Sequence, residues 1–153
     1  MIDDLEELYR TQRPKFCRAA AAIAGDRTLG EDVVQDAFAK AVRKRRSYHG
    51  RGSLEAWVWR IVVNAARDAR RKPWPLLGLR ERPAAPALNG GGSLLPLELL
   101  TDRQREVLYL HYYADLDYAT IAETLGISPG TVGATLSTAR RVLRQALAPE
   151  VKS

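Results

Sequence analysis

Apolar residues recur at helical spacing along most of the chain, and glycine- or proline-rich segments interrupt the pattern. The pattern predicts helices at residues 3–24, 30–46, 54–72 and about 102–113, followed by two more within residues 114–145. The predicted fold is therefore all-α. Pro14 lies inside the first helical pattern and predicts a kink or two helical pieces.

Residues 114–145 are typical of a short helix, a tight turn and a longer helix. Asp117 is a candidate N-cap for the first helix, and Gly126 follows it where a left-handed residue is needed. Ser128 and Pro129 are suited to the first positions of the second helix. This arrangement predicts a helix-turn-helix, whose second helix can enter a DNA major groove. The alternative is an ordinary two-helix corner.

The apolar stripes also predict which residues form the core. Val42 continues the buried stripe of the second helix, and Tyr112 continues that of the helix before the helix-turn-helix. In the third helix we predict that Val63 belongs to the core. Trp59 is left open between a core position and an apolar wedge beside DNA.

A segment rich in proline and glycine, residues 73–96, separates the two groups of helices. It contains five prolines and the run Asn-Gly-Gly-Gly-Ser, which is typical of a flexible linker. We therefore predict two small helical domains, at residues 1–72 and 97–148, with the helix-turn-helix in the second.

Positive charge is concentrated in the first half of the chain. The net charge is +6, and residues 1–72 contain 16 basic against 10 acidic residues. Eleven of those basic residues lie in residues 40–72, beside only Glu55 and Asp68. Such a concentration favours a nucleic-acid partner, because phosphate contacts supply most non-specific affinity. A solvated basic surface is the alternative.

Two polar faces in the first half are candidate binding surfaces. Asp32, Gln35 and Asp36 form an acidic-amide patch on the second helix, suited to protein docking, although the helix dipole alone would favour acidic residues there. On the third helix a stripe of cationic and amide side chains could bind phosphates and reach a base edge. Its members are Arg60, Asn64, Arg67 and Arg71.

The loop at residues 46–53 combines two glycines, an aromatic ring and cations, which suits an unpaired base as well as it suits a helix connection. Its candidate binding residues are Ser47, Tyr48, His49 and Arg51.

Several classes of function are disfavoured. A single cysteine, Cys17, and two separated histidines indicate neither a metal site nor a disulfide framework, and we expect Cys17 to be a buried apolar residue. No glycine-rich phosphate loop or nucleophile constellation indicates an enzyme. No segment is typical of a signal peptide or a membrane span, so we expect a cytoplasmic protein without a cofactor.

Three stretches together resemble the bacterial RNA polymerase sigma factors of the sigma-70 family, specifically the extracytoplasmic-function group. They are EDVVQDAFAKA at residues 31–41, GSLEAWVWRIVVNAARDARR at residues 52–71, and LTDRQREVLYLHYYADLDYATIAETLGISPGTV at residues 100–132. The resemblance covers nearly the whole chain. It implies two partners, core RNA polymerase and promoter DNA, and it raises the question of an anti-sigma factor as a third.

The resemblance also implies roles for the candidate residues of the first domain. Asp32, Gln35 and Asp36 would lie in the helix that docks on polymerase. The face of the third helix would contact the minus-ten promoter element, and the loop at residues 47–52 would capture a flipped base, which costs a few kcal/mol of stacking.

The second domain would read the minus-thirty-five element through its recognition helix. The residues assigned to that site are Ser128, Gly130, Thr131, Thr135, Thr138, Arg140, Arg141 and Arg144. Relatives usually carry Lys or Arg at some of the positions occupied here by small uncharged residues such as Gly133 and Ala134. Gly133 should cost this helix about 1 kcal/mol relative to alanine. We therefore expect weaker or shape-based reading upstream.

The resulting hypothesis is a sigma factor of the extracytoplasmic-function type, which is not an enzyme. The alternative is a stand-alone helix-turn-helix regulator. The acidic patch and the basic third helix disfavour that alternative, since a repressor needs neither.

Overall fold

The fold is a set of packed helices, and the computed structural model describes residues 1–71 and 96–148. The described residues contain six α-helices and no strand. They are α1 (Ile2–Ala24), α2 (Gly30–Arg43), α3 (Leu54–Arg71), α4 (Asp102–Tyr112), α5 (Tyr118–Leu125) and α6 (Pro129–Leu147). Single turns of 3-10 helix precede α2, follow it, and precede α4, at Arg27–Leu29, Arg45–Ser47 and Leu97–Leu99. The all-α fold is as predicted, whereas most of the predicted linker lies outside the described residues.

Helices α1, α2 and α3 pack against one another. The alanine-rich end of α1 lies in the core, and Gly30 allows α2 to begin against it. A Cβ atom on Gly30 would lie 2.5 Å from the backbone oxygen of Cys17. The small alanine side chains of α1 and the absence of a side chain at Gly30 therefore set how closely α1 and α2 approach.

An aromatic cluster fills the centre of the first three helices. Phe16 stacks on Trp59 with ring centroids 4.2 Å apart and meets Phe38 edge-on at 5.1 Å. Trp59 and Val63 are buried. The core position predicted for Val63 is confirmed, and the question left open for Trp59 is answered: it is a core residue and not an exposed wedge.

Three predictions about local structure can be compared with the helices. Helix α1 is one continuous element through Pro14, so the alternative of two helical pieces is excluded. Val42 and Tyr112 are exposed, at 37% and 48% of their full surface, although both were expected in the core. In α4, Tyr109 of the preceding turn is buried instead of Tyr112, whereas Val107 and Leu108 are buried as predicted.

Helices α4, α5 and α6 form the second group, and this group lies against the first. Contacts join α3 to α5 and α1 to α4. Lys15 of α1, for example, lies 3.6 Å from Asp115, in the turn after α4. The described halves of the chain are therefore packed together, an arrangement that the sequence did not predict.

Candidate nucleic-acid and polymerase interfaces

The acidic-amide patch on α2 is open to solvent. Asp32, Gln35 and Asp36 are all exposed, whereas the intervening Val33 and Val34 are buried in the core. This separation follows from helical periodicity, because residues three and four apart share a face. The structure therefore brings the three predicted docking residues together on one accessible surface.

The polar face of α3 lies against the second group of helices. Arg60 donates hydrogen bonds from Nη2 to the backbone oxygen of Glu123 at 2.5 Å and from Nε to that of Thr124 at 3.3 Å. Both acceptors belong to the last turn of α5, where carbonyl groups have no partner within the helix. Arg60 therefore binds the carboxy-terminal end of α5.

Arg67, two turns further along the same face of α3, forms a two-pronged ion pair with Glu106 of α4. The Nε–Oε2 and Nη2–Oε1 distances are 2.8 and 2.6 Å. The hydrogen bond to Glu106 raises the pKa of Arg67, so the Arg67 guanidinium stays positively charged. Arg67 also donates to Asn64 at 3.4 Å, which confirms that these side chains share a face.

Asn64 and Arg71 remain exposed, and Arg71 lies 3.9 Å from Asp68 on the same helix. The sequence placed all four polar residues of α3 on a surface facing DNA. In the structure Arg60 and Arg67 contact α5 and α4, and the assignment of the four residues to DNA stays a prediction.

The loop before α3 is built on two glycines with positive φ, Gly50 at 78° and Gly52 at 73°. Such angles suit glycine because it has no Cβ to clash. The Tyr48 hydroxyl donates to the backbone oxygen of Gly52 at 2.8 Å, and its ring packs against Trp57 at 5.5 Å. Tyr48 therefore braces the loop.

The other candidates in this loop differ in their exposure and hydrogen bonding. His49 and Arg51 are exposed. Ser47 donates its hydroxyl to the backbone oxygen of Lys44 at 2.7 Å, which closes the short 3-10 turn. The loop thus presents an imidazole and a guanidinium on a locally ordered backbone.

The helix-turn-helix has the predicted geometry. Asp117 accepts a hydrogen bond from the Thr120 N–H at 2.8 Å. Hydrogen bonds from the backbone and the side chain of Thr120 lower the pKa of the Asp117 carboxyl group. Gly126 ends α5 with φ of 70°. Ser128 accepts from the Thr131 N–H at 3.1 Å and caps α6. Each predicted cap and turn residue in this motif is confirmed.

The candidate residues of α6 divide by exposure. Val132 and Leu136 hold the helix to the core. Its accessible candidates are Ser128, Gly130, Thr131, Arg141 and Arg144, while Thr135, Thr138 and Arg140 are half-buried. The accessible side of the first two turns therefore offers hydroxyl and backbone groups, and cations appear only further along.

Arg140 and Gly133 belong to an aromatic corner beside α6. Arg140 donates to the Tyr112 hydroxyl at 2.9 Å and lies over that ring, and the hydrogen bond raises the pKa of Arg140. A Cβ on Gly133 would lie 3.3 Å from the Tyr118 ring. The glycine avoids this close contact, a packing role that the sequence alone did not show. The exposed Tyr112 ring carries the half-buried Arg140.

Within residues 1–71 and 96–148, no group of three acidic, histidine or cysteine side chains could hold a metal ion. Over the same residues, no helix has the length and apolar character needed to cross a bilayer. Cys17 is half-buried, and burial raises the pKa of its thiol.

The comparisons with known proteins agree with this layout. Residues 8–75 match the family model for sigma-70 region 2, and residues 97–143 match that for sigma-70 region 4. The chain belongs to the sigma-70 family. Its resemblance to the extracytoplasmic-function group is likewise supported by its relatives.

Two curated sigma factors illustrate the similarity. The RNA polymerase sigma-E factor of Streptomyces coelicolor is 27% identical over 152 residues, covering 94% of this chain and 86% of the relative. The ECF RNA polymerase sigma factor SigW of Bacillus subtilis is 25% identical, with 94% and 87% covered. This sigma-70 protein is thus similar to such sigma factors over nearly its whole length.

A solved structure is similar as well. The sigma factor RpoE of Bartonella quintana, in complex with the anti-sigma factor NepR, matches with a TM-score of 0.72 and 26% identity. The match covers 97% of this chain and 99% of that one. As a sigma factor of this group, the protein binds core RNA polymerase and promoter DNA to start transcription, and the stand-alone regulator is not favoured.

Sequence reasoning missed the acidic residues that face α3. Glu106 and Glu123 were not singled out, because each lies among ordinary helical residues. Glu106 is 7% exposed. Its position on the buried stripe of α4 is unusual for a polar residue, and the helical pattern could have indicated this. Nothing in the sequence connects Glu123 with α3, since the contact joins residues 70 positions apart.

Proposed function

We propose that two parts of this sigma factor have different roles. Residues 1–72 dock on polymerase and open the minus-ten element, whereas residues 97–148 bind the minus-thirty-five element. Residues 73–96 would connect the two. The observation that carries the proposal is the α2 surface, because Asp32, Gln35 and Asp36 are exposed together on a helix whose other face is buried. A DNA-binding regulator without polymerase has no use for such a patch.

The docking surface can be tested by charge removal. We expect the double variant Asp32→Asn, Asp36→Asn to bind core polymerase at least about 10-fold more weakly, since loss of buried polar pairing at an interface costs more than 1.4 kcal/mol. The matched control is Asp3→Asn, Asp4→Asn, which removes the same charge from exposed positions of α1. Equal binding by both variants would contradict the assignment.

For the minus-ten element we propose two groups of contacts. His49 and Arg51 of the exposed loop, with Ser47 and Tyr48 shaping its backbone, would hold the extruded base. The α3 residues, Arg60, Asn64, Arg67 and Arg71, would bind the adjoining strand. Stacking and charge support this, since both are used to hold single strands.

For the minus-thirty-five element we propose that α6 enters the major groove at its amino-terminal end. Gly130 and Thr131 are exposed there, and the Ser128 cap marks where backbone N–H groups can meet a phosphate. Thr135 and Thr138 follow on the flank of the helix. Arg140, Arg141 and Arg144 would bind phosphates, so sequence reading upstream should be weak.

The overall function is tested by transcription in vitro. Fragmented genomic DNA is transcribed by core polymerase with and without the protein, and the 5′ ends are sequenced. We expect new start sites that share two spaced upstream elements. Duplex binding without new start sites would instead support a stand-alone regulator.

We further propose that the protein is a non-catalytic, cytoplasmic subunit and that an anti-sigma factor regulates it. The relative from Bartonella quintana was solved with such a partner, which supports this type of control. Co-purification of the protein from its native cells, followed by identification of bound chains, tests the partner directly.

A further inference from the structure

Arg140 is the first cation of the recognition helix α6. No lysine or arginine lies between Pro129 and Ala139, whereas Arg141 and Arg144 follow Arg140. Within α6, a DNA phosphate can therefore meet a positive side chain only from Arg140 onward. The placement of this one side chain affects how the helix holds the DNA backbone, because phosphate contacts fix the position of a protein on the duplex.

The Arg140 side chain is held by Tyr112, the last residue of α4. Arg140 donates a hydrogen bond from Nε to the Tyr112 hydroxyl at 2.9 Å, and its guanidinium carbon lies 5.6 Å from the centre of the same ring. This hydrogen bond is the largest cause of the raised pKa of Arg140. Arg140 is half-buried, while the neighbouring Arg141 is exposed. One tyrosine thus contacts the Arg140 guanidinium through both its hydroxyl and its ring.

The Tyr112 ring is itself restrained by aromatic neighbours. The His111 ring meets the rings of Tyr112 and Tyr118 nearly edge-on, with centroid distances of 4.8 and 5.8 Å. The Tyr118 ring in turn lies against Gly133 of α6, where a Cβ would be 3.3 Å away from it. These contacts join α4, α5 and α6, so the Tyr112 ring has a defined position although it is 48% exposed.

An arginine that is already ordered is better prepared to bind a phosphate than a mobile one. Arginine loses rotational freedom when it pairs with an anion, and a side chain ordered beforehand loses less of it on binding. The planar guanidinium can also pair with two phosphate oxygens at once, so its orientation matters as well as its charge. Tyr112 engages Nε, and the terminal nitrogen atoms Nη1 and Nη2 are the ones that can form such a pair.

We propose that Tyr112 is a positioning residue for promoter binding, which holds the Arg140 guanidinium beside α6 in the orientation that meets a DNA phosphate. The proposal rests on the proposed role of α6 at the minus-thirty-five element. Because Tyr112 acts through Arg140, its contribution to DNA binding should disappear when Arg140 is absent. A tyrosine that only joins α4 to α6 would not show this dependence.

The restraint on Arg140 can be observed in the full chain without DNA. Nuclear magnetic resonance of the arginine Nε–H groups reports how fast each exchanges with water, and the exposed Arg141 is the matched reference. We expect slower exchange at Arg140 than at Arg141. The difference should be lost in Tyr112→Phe, which keeps the ring and removes the hydroxyl. Equal exchange at both arginines of the unmodified protein would overturn the proposal.

DNA binding is measured with a short mixed-sequence duplex at low salt, which suffices because phosphate contacts carry no sequence information. We expect Arg140→Gln to weaken binding and to reduce the slope of log affinity against log salt by about 0.9, the loss of one phosphate contact. Tyr112→Phe should weaken binding roughly 2- to 5-fold, as expected for one neutral hydrogen bond.

The matched control is Tyr9→Phe. It removes the hydroxyl of another tyrosine that lies beside an arginine, since Arg13 is 5.8 Å from the Tyr9 ring, but this pair is on α1. We expect Tyr9→Phe to leave duplex binding unchanged, and circular dichroism verifies that each variant is folded. A loss equal to that of Tyr112→Phe would overturn the proposal, because the effect would not depend on the contact with Arg140.

The double variant separates positioning from a structural role. Tyr112→Phe should cause no further loss of binding in the Arg140→Gln background. An equal loss in both backgrounds would overturn the proposal, as would an Arg140→Gln variant that binds like the unmodified protein. Absence of new transcription starts from the unmodified protein, with these duplex results intact, would instead count against the proposed function alone.

Discussion

At the scale of single residues, helix caps are the best-specified features of this protein. The sequence suggested that Asp117 and Ser128 cap α5 and α6 and that Gly126 ends α5, and the hydrogen bonds and φ angles bear this out. Thr101 adds a reciprocal cap with Gln104 at the start of α4. Caps are predictable because the donor and acceptor are three residues apart and need no distant partner.

The Asp117 cap provides a test at this scale. Asp117→Ala should lower the free energy of unfolding by about 1 kcal/mol, because an N–H at the start of α5 loses its acceptor. Asp117→Asn should cost less, since asparagine also accepts that hydrogen bond. Urea unfolding of the three proteins measures both changes, and equal stability of Asp117→Ala and the unmodified protein would show that the cap contributes nothing.

The same cap predicts a pH dependence. Hydrogen bonds from Thr120 lower the pKa of Asp117, so the unfolded chain takes up this proton at a higher pH than the native protein. The stabilisation is therefore present above the ordinary pKa of aspartate and is lost as pH falls through the lowered one. The stability difference from Asp117→Asn should shrink on acidification, and a difference independent of pH would contradict this.

Other single residues could not be assigned from the sequence. Tyr112 looks apolar in a helical pattern, yet its hydroxyl accepts from Arg140 across 28 positions. The sequence left Trp59 open between a core position and an apolar wedge, and the stacking of its ring on Phe16 decides for the core. In each case the deciding partner lies on another helix, and helical periodicity carries no information about that helix.

At the scale of elements, the number and order of helices follow from periodicity, but their crossings do not. Gly30 shows the difference. The sequence marked it only as the start of a helix, whereas the structure places it where α2 meets α1. Close helix contact requires a position without a side chain, and only the partner helix reveals which glycine that is.

Gly30→Ala tests this crossing. The added Cβ would lie 2.5 Å from the Cys17 oxygen and 3.0 Å from the Ala21 Cβ, so the helices must move apart. We expect a loss of about 1–3 kcal/mol of stability, as for other overpacked cores. The control is Gly130→Ala, also in a helix, where the nearest atom would be 3.8 Å away.

Gly130→Ala should instead leave stability unchanged or raise it by about 0.5–1 kcal/mol, because alanine loses less backbone entropy in a helix. Urea unfolding of both variants gives the comparison. If Gly30→Ala were as stable as the control, the close approach of α1 and α2 would not depend on that glycine.

At the scale of the whole molecule, the sequence supports two groups of helices and their family, but not their packing against each other. The contacts of Arg60, Arg67 and Ser53 all join residues more than 35 positions apart, across the segment between α3 and α4. Charge patterning indicated a basic surface and suggested DNA as its partner. It could not show that the chain also carries acidic groups placed to meet that surface.

The Arg67–Glu106 pair allows this packing to be measured as a coupling energy. Arg67→Met should be costly because it leaves the buried Glu106 carboxylate without its partner, and Glu106→Gln should remove much of that cost. In a double-mutant cycle followed by urea unfolding, we expect a coupling of about 1–3 kcal/mol. The control cycle uses Arg71→Met and Asp68→Asn, a pair 3.9 Å apart whose side chains are 76% and 70% exposed.

That exposed pair should couple by less than about 0.5 kcal/mol, as surface ion pairs usually do. A coupling for Arg67 and Glu106 no larger than the control would mean that the two halves are not held together in solution by this contact. A large coupling that falls when a single-stranded oligonucleotide is added would place the contact and DNA in competition, because a ligand that binds only the open form draws the population away from the closed one.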